Sequence, residues 1–301
     1  VSYYLLLFDH LFFLFNNCFV IIMTNFAHDN ANYTKMRYLT IIFTLISLAA
    51  CDGVFHYHPY DVRFDGPYDI NKRNMQKIEQ QCLNKDTLVF AFVSDSHNWL
   101  SSTEDMVKDV NSRSEIDFVI HGGDLTDCGT TREFEWTRSI LQKLRKPYVV
   151  LIGNHDFLGT GEEVFLQMFG PLDFSFIAAR IKFVCLNTNA TEYNYLAAVP
   201  NFDFMEEQFH SDSLLFDRTI VCMHARPYSE QFNNNVAKSF ELYMHFFPGL
   251  IFCLNGHDHC FQADEIYNDG VMYYGVDCLD HRNYYLITIT PDNYEIEKIH
   301  Y

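Results

Sequence analysis

The run PYVVLI at residues 147–152, followed by Gly153, Asn154, His155 and Asp156, decides how this chain folds. A short apolar run that ends at a glycine and passes into polar side chains predicts a buried strand with chemistry at its carboxyl end, as in open α/β sheets. The polar residues after the run are therefore expected to line a site.

Four more apolar runs pass into polar residues of the same types. The polar segments are DSH at 95–97, GDLTD at 123–127, HARP at 224–227 and GHDH at 256–259. Because ligands bind outside the carboxyl ends of the strands in open α/β sheets, one convergent site is the simplest interpretation. The chain is therefore predicted to be an α/β protein whose site is assembled from strand ends.

The first half of this region alternates between predicted strands and helices. Strands are predicted at 87–93, 116–121 and 147–152, and helices from about 102 to 112 and from 131 to 145. This alternation predicts parallel strands joined by right-handed crossovers. Ser101 or Ser102, with an acidic residue three positions later, predicts a capping box for the first helix.

The second half is predicted to contain shorter strands, two helices and C-terminal hairpins. Strands are predicted at 175–178, 182–186, 219–223 and 250–254, and helices at 202–209 and 235–247. Hairpin strands are predicted at 262–267, 271–275, 284–289 and 294–299. The Asn268, Asp269 and Gly270 sequence is the predicted turn of the first hairpin, because Asp-Gly between alternating runs is a strong hairpin signal.

Composition limits the function classes. A length of 301 residues suffices for a large catalytic domain, and a formal charge of −18 argues against a nucleic-acid groove, which needs clustered Lys and Arg. A phosphate-bearing substrate would then need local neutralisation, which metal cations supply. The nine cysteines form no Cys-x-x-Cys pair, and Cys185, Cys222 and Cys253 are predicted to be small buried hydrophobes within strands.

The N-terminal part of the chain divides into segments with different predicted roles. Residues 1–35 are predicted to be upstream sequence that the true start codon excludes, and residues 36–51 a lipoprotein signal peptide. Residues 52–85 are predicted to form a tether that contains a short helix near 71–82, and residues 86–301 the catalytic domain. In the tether, His56 and His58 have ligand-like spacing, but surface histidines are the favoured interpretation.

The signal-peptide prediction depends on the order of charge, apolar residues and cysteine. Arg37 precedes an apolar segment too short to span a bilayer, and LAAC at residues 48–51 closes it. This pattern resembles a bacterial lipoprotein signal peptide, in which the cysteine, here Cys51, becomes lipidated. The resemblance implies an extracytoplasmic protein anchored to the membrane by lipid. A plain signal anchor or an internal apolar helix is the alternative.

The polar segments contain residue types that bind metals. Asp95 and His97 are two positions apart and are expected to point to the same side of an extended backbone, as are His257 and His259. Asp124 follows a glycine pair, which allows a tight turn close to an ion. Mixed carboxylate, amide and imidazole groups suit Mn, Fe, Zn or Co better than Ca.

The ordered motifs resemble those of the calcineurin-like metallophosphoesterase family. Asp-x-His, Gly-Asp-x-x-Asp, Gly-Asn-His-Asp, a single His and Gly-His-x-His follow one another over residues 95–259. The resemblance implies a four-layer α/β/β/α sandwich, two mixed sheets flanked by helices, and two divalent transition-metal ions. It implies Asp95, His97, Asp124 and His259 as ligands of one ion and Asp124, Asn154, His224 and His257 as ligands of the other. In one departure from the family pattern, His224 lies in His-Ala-Arg-Pro.

The same resemblance assigns His155 to the leaving-group oxygen or the phosphoryl group, with Asp127 orienting it. Asp156 is predicted to support the loop, since these assignments leave no metal position for it. His121 is interpreted as a core-edge histidine satisfied by the backbone, with substrate contact as the alternative. Arg226 is expected either to bind phosphate or to form an ion pair. Asn98 and Trp99 are candidates for the pocket lining.

The resulting functional prediction is a metal-dependent phosphoesterase that hydrolyses a small phosphomonoester or phosphodiester with a metal-bridging hydroxide. Two alternatives remain open. One is a pyrophosphatase that acts on nucleotide or lipid-linked diphosphates, and the other is an inactive metal-binding protein at the cell surface. Intact predicted ligands and an intact pair of His155 and Asp127 argue against the inactive protein.

Overall fold

Two β-sheets pack face to face in the computed structural model, which describes residues 60–301 together with Tyr38, Ile41 and His58. Apart from Tyr38 and Ile41, the predicted upstream segment and signal peptide, including Cys51, lie outside these residues. Within the described part of the chain, no helix is long and apolar enough to cross a membrane.

Eleven strands and six α-helices lie within residues 60–301. The strands are β1 (Leu88–Val93), β2 (Phe118–His121), β3 (Tyr148–Val150), β4 (Phe174–Ala178), β5 (Ile181–Leu186), β6 (Arg218–Met223), β7 (Leu250–Asn255), β8 (Gln262–Asp264), β9 (Tyr273–Gly275), β10 (Asn283–Ile289) and β11 (Tyr294–His300). The helices are α1 (Ile70–Cys82), α2 (Leu100–Ser112), α3 (Thr131–Leu141), α4 (Gly161–Met168), α5 (Phe202–His210) and α6 (Ala237–Met244).

Both sheets are mixed, as predicted. The first has the order β11-β10-β1-β2-β3, in which β1, β2 and β3 run parallel and β10 pairs antiparallel with β1. The second has the order β4-β5-β6-β7-β9-β8, in which the inner strands β5, β6, β7 and β9 run parallel and each edge strand is antiparallel to its neighbour. Parallel inner strands bring their carboxyl ends to one edge of each sheet.

Alternation along the strands separates three apolar cores. In β1, Phe90 and Phe92 belong to the core between the sheets. Ala91 and Val93 belong to the core between the first sheet and helices α2, α3 and α4. A third core lies between the second sheet and helices α5 and α6. Successive side chains on a strand point to opposite faces, so each sheet is buried on both sides. The predicted four-layer sandwich is confirmed.

Aromatic rings fill the central core. Phe90 stacks on Phe118 within the first sheet at 5.2 Å, and Phe176 stacks on Phe183 within the second at 4.8 Å. Across the sheets, Phe90 and Phe183 meet edge to face at 5.3 Å. Offset and edge-to-face contacts are the favoured aromatic geometries, so these rings fix the spacing of the sheets.

Helix α1, in the segment predicted as a tether, covers the open edge of β3. The Asn71 side chain donates to the Val150 carbonyl at 2.8 Å and accepts from the Val150 N–H at 2.9 Å. Asn74 donates to the Tyr148 carbonyl at 2.8 Å. These amides satisfy backbone groups that an edge strand would otherwise leave unpaired.

The predicted capping box at Ser101 or Ser102 is wrong. Helix α2 begins at Leu100, so both serines lie inside its first turn, and no side chain caps its N-terminus. A capping box forms instead at α3, where the Thr130 side chain accepts from the Glu133 N–H and Glu133 accepts from the Thr130 N–H. That signal is present in the sequence, since Thr130 and Glu133 have the required spacing.

Several predicted boundaries need correction. Helix α3 ends at Leu141 rather than near 145, where the Asn111 side chain instead accepts from the Arg145 N–H. Helix α6 is shorter than predicted because a separate 3₁₀ turn precedes it. Helix α4 was not predicted. Strands β8 and β9 are joined by a longer connection over 265–272 rather than by a tight turn. Within this connection, the Glu265 side chain accepts from the Gly270 N–H and the Asp269 side chain accepts from the Val271 N–H.

Candidate metal centre

The predicted site residues come from loops that follow five strands of both sheets. Asp95 and His97 follow β1, Asp124 follows β2, Asn154 and His155 follow β3, His224 follows β6, and His257 and His259 follow β7. The first three strands belong to one sheet and the last two to the other. The structure therefore joins the carboxyl edges of the two sheets into one cluster.

The backbone is left-handed at five of these residues. The φ angles are +54° at Asp95, +42° at His97, +55° at Asp124, +72° at His257 and +48° at His259. The expectation that these pairs lie on an extended backbone is therefore wrong. Non-glycine residues with positive φ are uncommon and cluster at functional sites, where the surrounding structure holds them. The ligand candidates converge because their loops turn sharply after each strand.

Two glycines allow the loops to approach each other closely. A Cβ atom on Gly153 would lie 2.2 Å from both the backbone N and the Oδ1 of Asp124. A Cβ atom on Gly123, which has a φ of +110°, would lie 2.6 Å from His224 Nδ1. Both glycines are thus required for space, and Gly123 is required for its backbone conformation as well.

One group of converging atoms belongs to Asp95, His97 and His259, whose ligand atoms lie within 4.8 Å of one another. His259 Nε2 lies 3.2 Å from Asp95 Oδ1 and 3.3 Å from His97 Nε2. Asp95 is fully buried, and its Oδ2 accepts from the backbone N–H of His257 at 3.1 Å. This carboxylate is therefore held with one oxygen facing the imidazoles.

The second group contains Asp124, His224 and His257, again with ligand atoms within 4.8 Å. His224 Nε2 lies 3.4 Å from Asp124 Oδ2 and 3.1 Å from Asn154 Oδ1. The same amide oxygen lies 3.0 Å from His257 Nδ1. Asp124 Oδ2 also lies 3.7 Å from His97 Nε2. The Asp124 carboxylate therefore faces both groups.

The hydrogen bonding of His224 requires either a proton on its Nε2 or a metal ion beside it. Its Nδ1 donates to the Gly122 carbonyl at 2.9 Å, so Nε2 of the neutral ring carries a lone pair. This lone pair faces Asp124 and Asn154 oxygens, which are also acceptors. Either a proton on His224 or a metal ion must lie between them, because buried acceptors do not remain unpaired. The donor set fits the predicted Mn, Fe, Zn or Co.

Electrostatics in the cluster favour positive charge. Burial opposes ionisation of Asp95, but the hydrogen bond from His259 and the charge of His224 outweigh it and hold the pKa well below its usual range. Burial lowers the pKa of His224, yet Asp124 and Asp95 together raise it to about 9. Hydrogen bonding to Asp95, with a further contribution from Cys278, raises the pKa of His259 to about 10. The same negative field attracts metal cations.

The contact between His155 and Asp127 differs from the expected one. His155 Nδ1 lies 2.9 Å from the backbone carbonyl oxygen of Asp127, and the His155 N–H donates to Asp124 Oδ1 at 2.8 Å. The Asp127 carboxylate instead accepts from Asn98 at 2.6 Å and lies 3.0 Å from His97 Nδ1 without hydrogen-bond alignment. The reason is that His155 begins a 3₁₀ turn rather than extended backbone. Asp127 therefore contacts His155 through its main chain.

Asp156 supports the loop as predicted. Its fully buried carboxylate accepts from the backbone N–H groups of Leu125, Thr126 and Gly153 at 3.0 Å each, and from the Thr126 hydroxyl at 2.9 Å. Burial and the charge of Asp124 raise its pKa to about 7. Asp156 thus ties the loop after β2 to the loop after β3.

His121 is satisfied by its surroundings, as predicted. The Gly123 N–H donates to its Nδ1 at 3.3 Å, so its Nε2–H donates to the Ser96 hydroxyl at 3.0 Å. Burial lowers its pKa to about 4, so the ring is neutral near pH 7. It lies beneath the cluster and does not contact the cavity described below.

An open cavity of about 560 Å³ faces the cluster. Its lining consists of Asp124, Asn154, His155, Arg226, Tyr228, Ser229, Glu230, His257, Asp258 and His259. Arg226 lies in this wall and its Nε donates to Asp258 at 2.7 Å, so the predicted ion pair forms within the pocket. Trp99 contacts His97 and His259 edge to face at 5.0 and 5.8 Å, although neither it nor Asn98 lines the cavity itself.

Four lining residues were missed from the sequence. Asp258 lies between two predicted ligands in the Gly-His-x-His motif, and this position was a usable signal. Tyr228, Ser229 and Glu230 lie in the loop after the His-Ala-Arg-Pro segment. Nothing in their composition distinguishes them from an ordinary surface loop, because only the fold turns that loop toward the cavity.

Two mixed sheets with a carboxylate and imidazole cluster at their joined carboxyl edges define an α/β sandwich protein with a candidate metal centre. The family model described as calcineurin-like phosphoesterase matches residues 88–261, more than half of the 301 residues. The chain belongs to the calcineurin-like phosphoesterase family.

Similar proteins include enzymes of this type. A glycerophosphodiester phosphodiesterase from Enterobacter lignolyticus is 26% identical over 168 residues, which cover 51% of this chain and 53% of that protein. The chain thus matches about half the length of this curated relative. A dimetal phosphatase from Danio rerio has a TM-score of 0.56 and 11% identity, with 70% of this chain and 95% of that chain covered. Purple acid phosphatase PPD1 from yellow lupin has a TM-score of 0.50 and 13% identity, with coverages of 71% and 53%.

Proposed function

We propose that this chain hydrolyses phosphate esters with two divalent transition-metal ions. One ion would be held by Asp95, His97, Asp124 and His259, and the other by Asp124, Asn154, His224 and His257. The observation that carries this proposal is the pair of ligand groups that meet at the Asp124 carboxylate. Two bound ions supply a nucleophilic hydroxide at neutral pH and neutralise the phosphoryl oxygens.

His155 is proposed as the general acid. Its Nδ1 contacts the Asp127 carbonyl, which can only accept, so Nδ1 carries hydrogen and Nε2 is the nitrogen that exchanges a proton with the leaving-group oxygen. The backbone N–H of His155 is bound to Asp124, so the loop that carries the ring is tied to the shared carboxylate. His155 also lines the cavity, where an ester oxygen can reach it.

A phosphodiester is the proposed substrate class ahead of a phosphomonoester. The cavity wall carries Glu230 and Asp258, and its one guanidinium, Arg226, is already paired with Asp258. A diester bears one negative charge, whereas a monoester bears nearly two at pH 7, so the Glu230 carboxylate repels a monoester more strongly. The similarity to a glycerophosphodiester phosphodiesterase supports the same choice.

A substrate panel tests this proposal. Phosphomonoesters, linear and cyclic phosphodiesters and pyrophosphates would be assayed with metal-free protein reconstituted with Mn, Fe, Zn or Co. Turnover of diesters above monoesters is expected. Preferred turnover of pyrophosphates would favour the pyrophosphatase alternative, and binding of two ions without any turnover would favour the inactive metal-binding protein.

Membrane attachment through Cys51 is proposed separately, on the basis of the apolar segment and the LAAC sequence. Expression of the full chain in a bacterium with lipoprotein processing, followed by membrane fractionation and mass spectrometry, tests it. The wild type should carry a lipid on Cys51 and sediment with membranes, and Cys51→Ser should be released. An unmodified cysteine in the wild type would contradict the proposal.

A further inference from the structure

A second place with metal-binding side chains lies on the helix side of the second sheet. Glu241, His245 and Asp269 each offer one ligand atom, and the three atoms lie within 4.8 Å of one another. Glu241 belongs to α6, His245 follows its last residue, and Asp269 belongs to the connection between β8 and β9. None of them lines the cavity of the candidate metal centre.

The helix places two of these ligands side by side. Glu241 and His245 are four positions apart at the end of α6, and residues with this spacing are neighbours on a helix surface. His245 is about half exposed, with 48% of its side chain accessible. A solvent ion therefore has an open approach to the pair.

The third ligand carries an unpaired buried oxygen. Asp269 Oδ1 accepts from the Val271 N–H at 3.0 Å, which fixes the carboxylate. Only 10% of the Asp269 side chain is exposed. Its Oδ2 atom is buried and lacks a hydrogen-bond partner among the described residues. It lies 3.3 Å from His245 Nε2 without hydrogen-bond alignment. Two ligand atoms that are close but not aligned with each other fit a common partner between them.

We propose that Glu241, His245 and Asp269 bind a third divalent transition-metal ion, of which Zn²⁺ is the best match. Zn²⁺ accepts imidazole and carboxylate ligands, and sites with three protein ligands complete their coordination with water. The ion satisfies Asp269 Oδ2, whose unpaired burial is otherwise costly. The net charge of −18 adds a general attraction for cations.

The site would fasten the 265–272 connection to α6. This connection carries Tyr267, whose ring contacts Tyr228 at 5.7 Å, and Tyr228 lines the cavity. The Tyr267 hydroxyl already donates to the Ala237 carbonyl at the first turn of α6. An ion at the last turn would give the connection a second attachment, so metal binding there would stiffen one wall of the cavity.

The test is a Zn²⁺ titration of metal-free full-length protein, read by calorimetry and by elemental analysis after gel filtration. Wild type should bind three equivalents when the candidate metal centre holds its two proposed ions, and His245→Ala and Glu241→Gln should each bind one equivalent fewer tightly. Loss of an outer-shell partner alone weakens metal sites ~10–100-fold, so removal of a ligand should weaken the third affinity at least that much. His210→Ala is the matched control and should bind three, because His210 ends α5 in an exposed position outside the candidate ligand groups of the described residues.

A second arm separates this site from the candidate metal centre. In an Asp124→Asn background, which impairs the centre, Zn²⁺ should still raise the melting temperature, and adding His245→Ala should remove that increase. A His245→Ala protein that binds as many equivalents as the wild type, or an Asp124→Asn protein whose melting temperature Zn²⁺ does not raise, would overturn the inference. In that case Glu241, His245 and Asp269 form a plain charged cluster.

Discussion

The floor and the rim of the candidate metal centre are held in different ways. The floor, defined as Asp95, Asp124, His224 and Asp156, is at most 1% exposed, and its carboxylates are fixed by backbone N–H groups. The rim, defined as His155, Asp127, Arg226 and Glu230, faces solvent, with 86% of the Glu230 side chain exposed. A floor fixed by main-chain contacts is preorganised, which suits the proposed ions, and the rim is where the proposed substrate would approach them.

The largest effect is expected at the carboxylate that both ligand groups share. Asp124→Asn removes a charge that faces His97 and His224, so both ions should be lost and activity abolished. Metal affinity should fall by more than ~100-fold, since even outer-shell changes cost ~10–100-fold. Elemental analysis of the purified variant checks this. Retention of two ions at full affinity would contradict the shared role.

At the rim, His155→Ala should separate chemistry from metal binding. Because His155 is proposed to donate a proton rather than to hold an ion, both ions should remain, and turnover should fall by ~10²–10⁴-fold for esters with poor leaving groups. An activated aryl ester, which needs no proton, should lose much less. Equal losses on both substrates, measured as kcat, would instead indicate a positioning role.

A pair of matched substitutions compares the stability that floor and rim contribute. Asp156→Asn replaces one acceptor oxygen with an NH₂ group that faces backbone N–H donors, so buried donors lose their partner. The free energy of unfolding should therefore fall by about 2–4 kcal/mol. Asp127→Asn, whose carboxylate is 43% exposed, should change it by less than about 0.5 kcal/mol. Urea denaturation of the metal-free proteins measures both. Similar losses would remove the distinction between floor and rim.

The smallest effect is expected from Glu230→Gln. Glu230 Oε1 lies 3.9 Å from His257 Nε2 at the cavity wall, and its high exposure weakens its field. Removal of the charge should raise kcat/KM by less than about fivefold. The increase should be larger for a phosphomonoester than for a phosphodiester, because the monoester carries more negative charge. Steady-state kinetics at low and high salt check this. An equal gain on both substrates would remove the charge argument for the diester.

The floor was more predictable than the rim. Strands β1, β2, β3, β6 and β7 and the order of their polar ends follow from apolar runs and turn residues. Their assignment to two sheets does not, because pairing such as β1 with β10 joins residues far apart in sequence. The left-handed backbone at Asp95 and His257 was also unpredictable, because Asp and His adopt it more often than most residues but still at only a small fraction of their positions.

The rim depends on main-chain geometry that a motif does not encode. Asp127 was expected to act through its carboxylate, but its carbonyl contacts His155. Glu230 carries no local signal, because its place in the wall is set by the loop after β6. Sequence patterns identify side-chain chemistry at strand ends, whereas the direction of a loop follows from packing of the complete fold.

The pairing of β1 with β10 has a consequence for synthesis of the chain on the ribosome. Leu88 is the register partner of Ile289, so the strand that leads to Asp95 has an open edge until residues 283–289 have emerged. An exposed strand edge is a template for pairing with other chains, and incomplete chains are prone to aggregation. Nascent chains released before residues 283–289 have emerged should therefore be caught by chaperones or degraded, and metal capture should begin only after this strand has been synthesised.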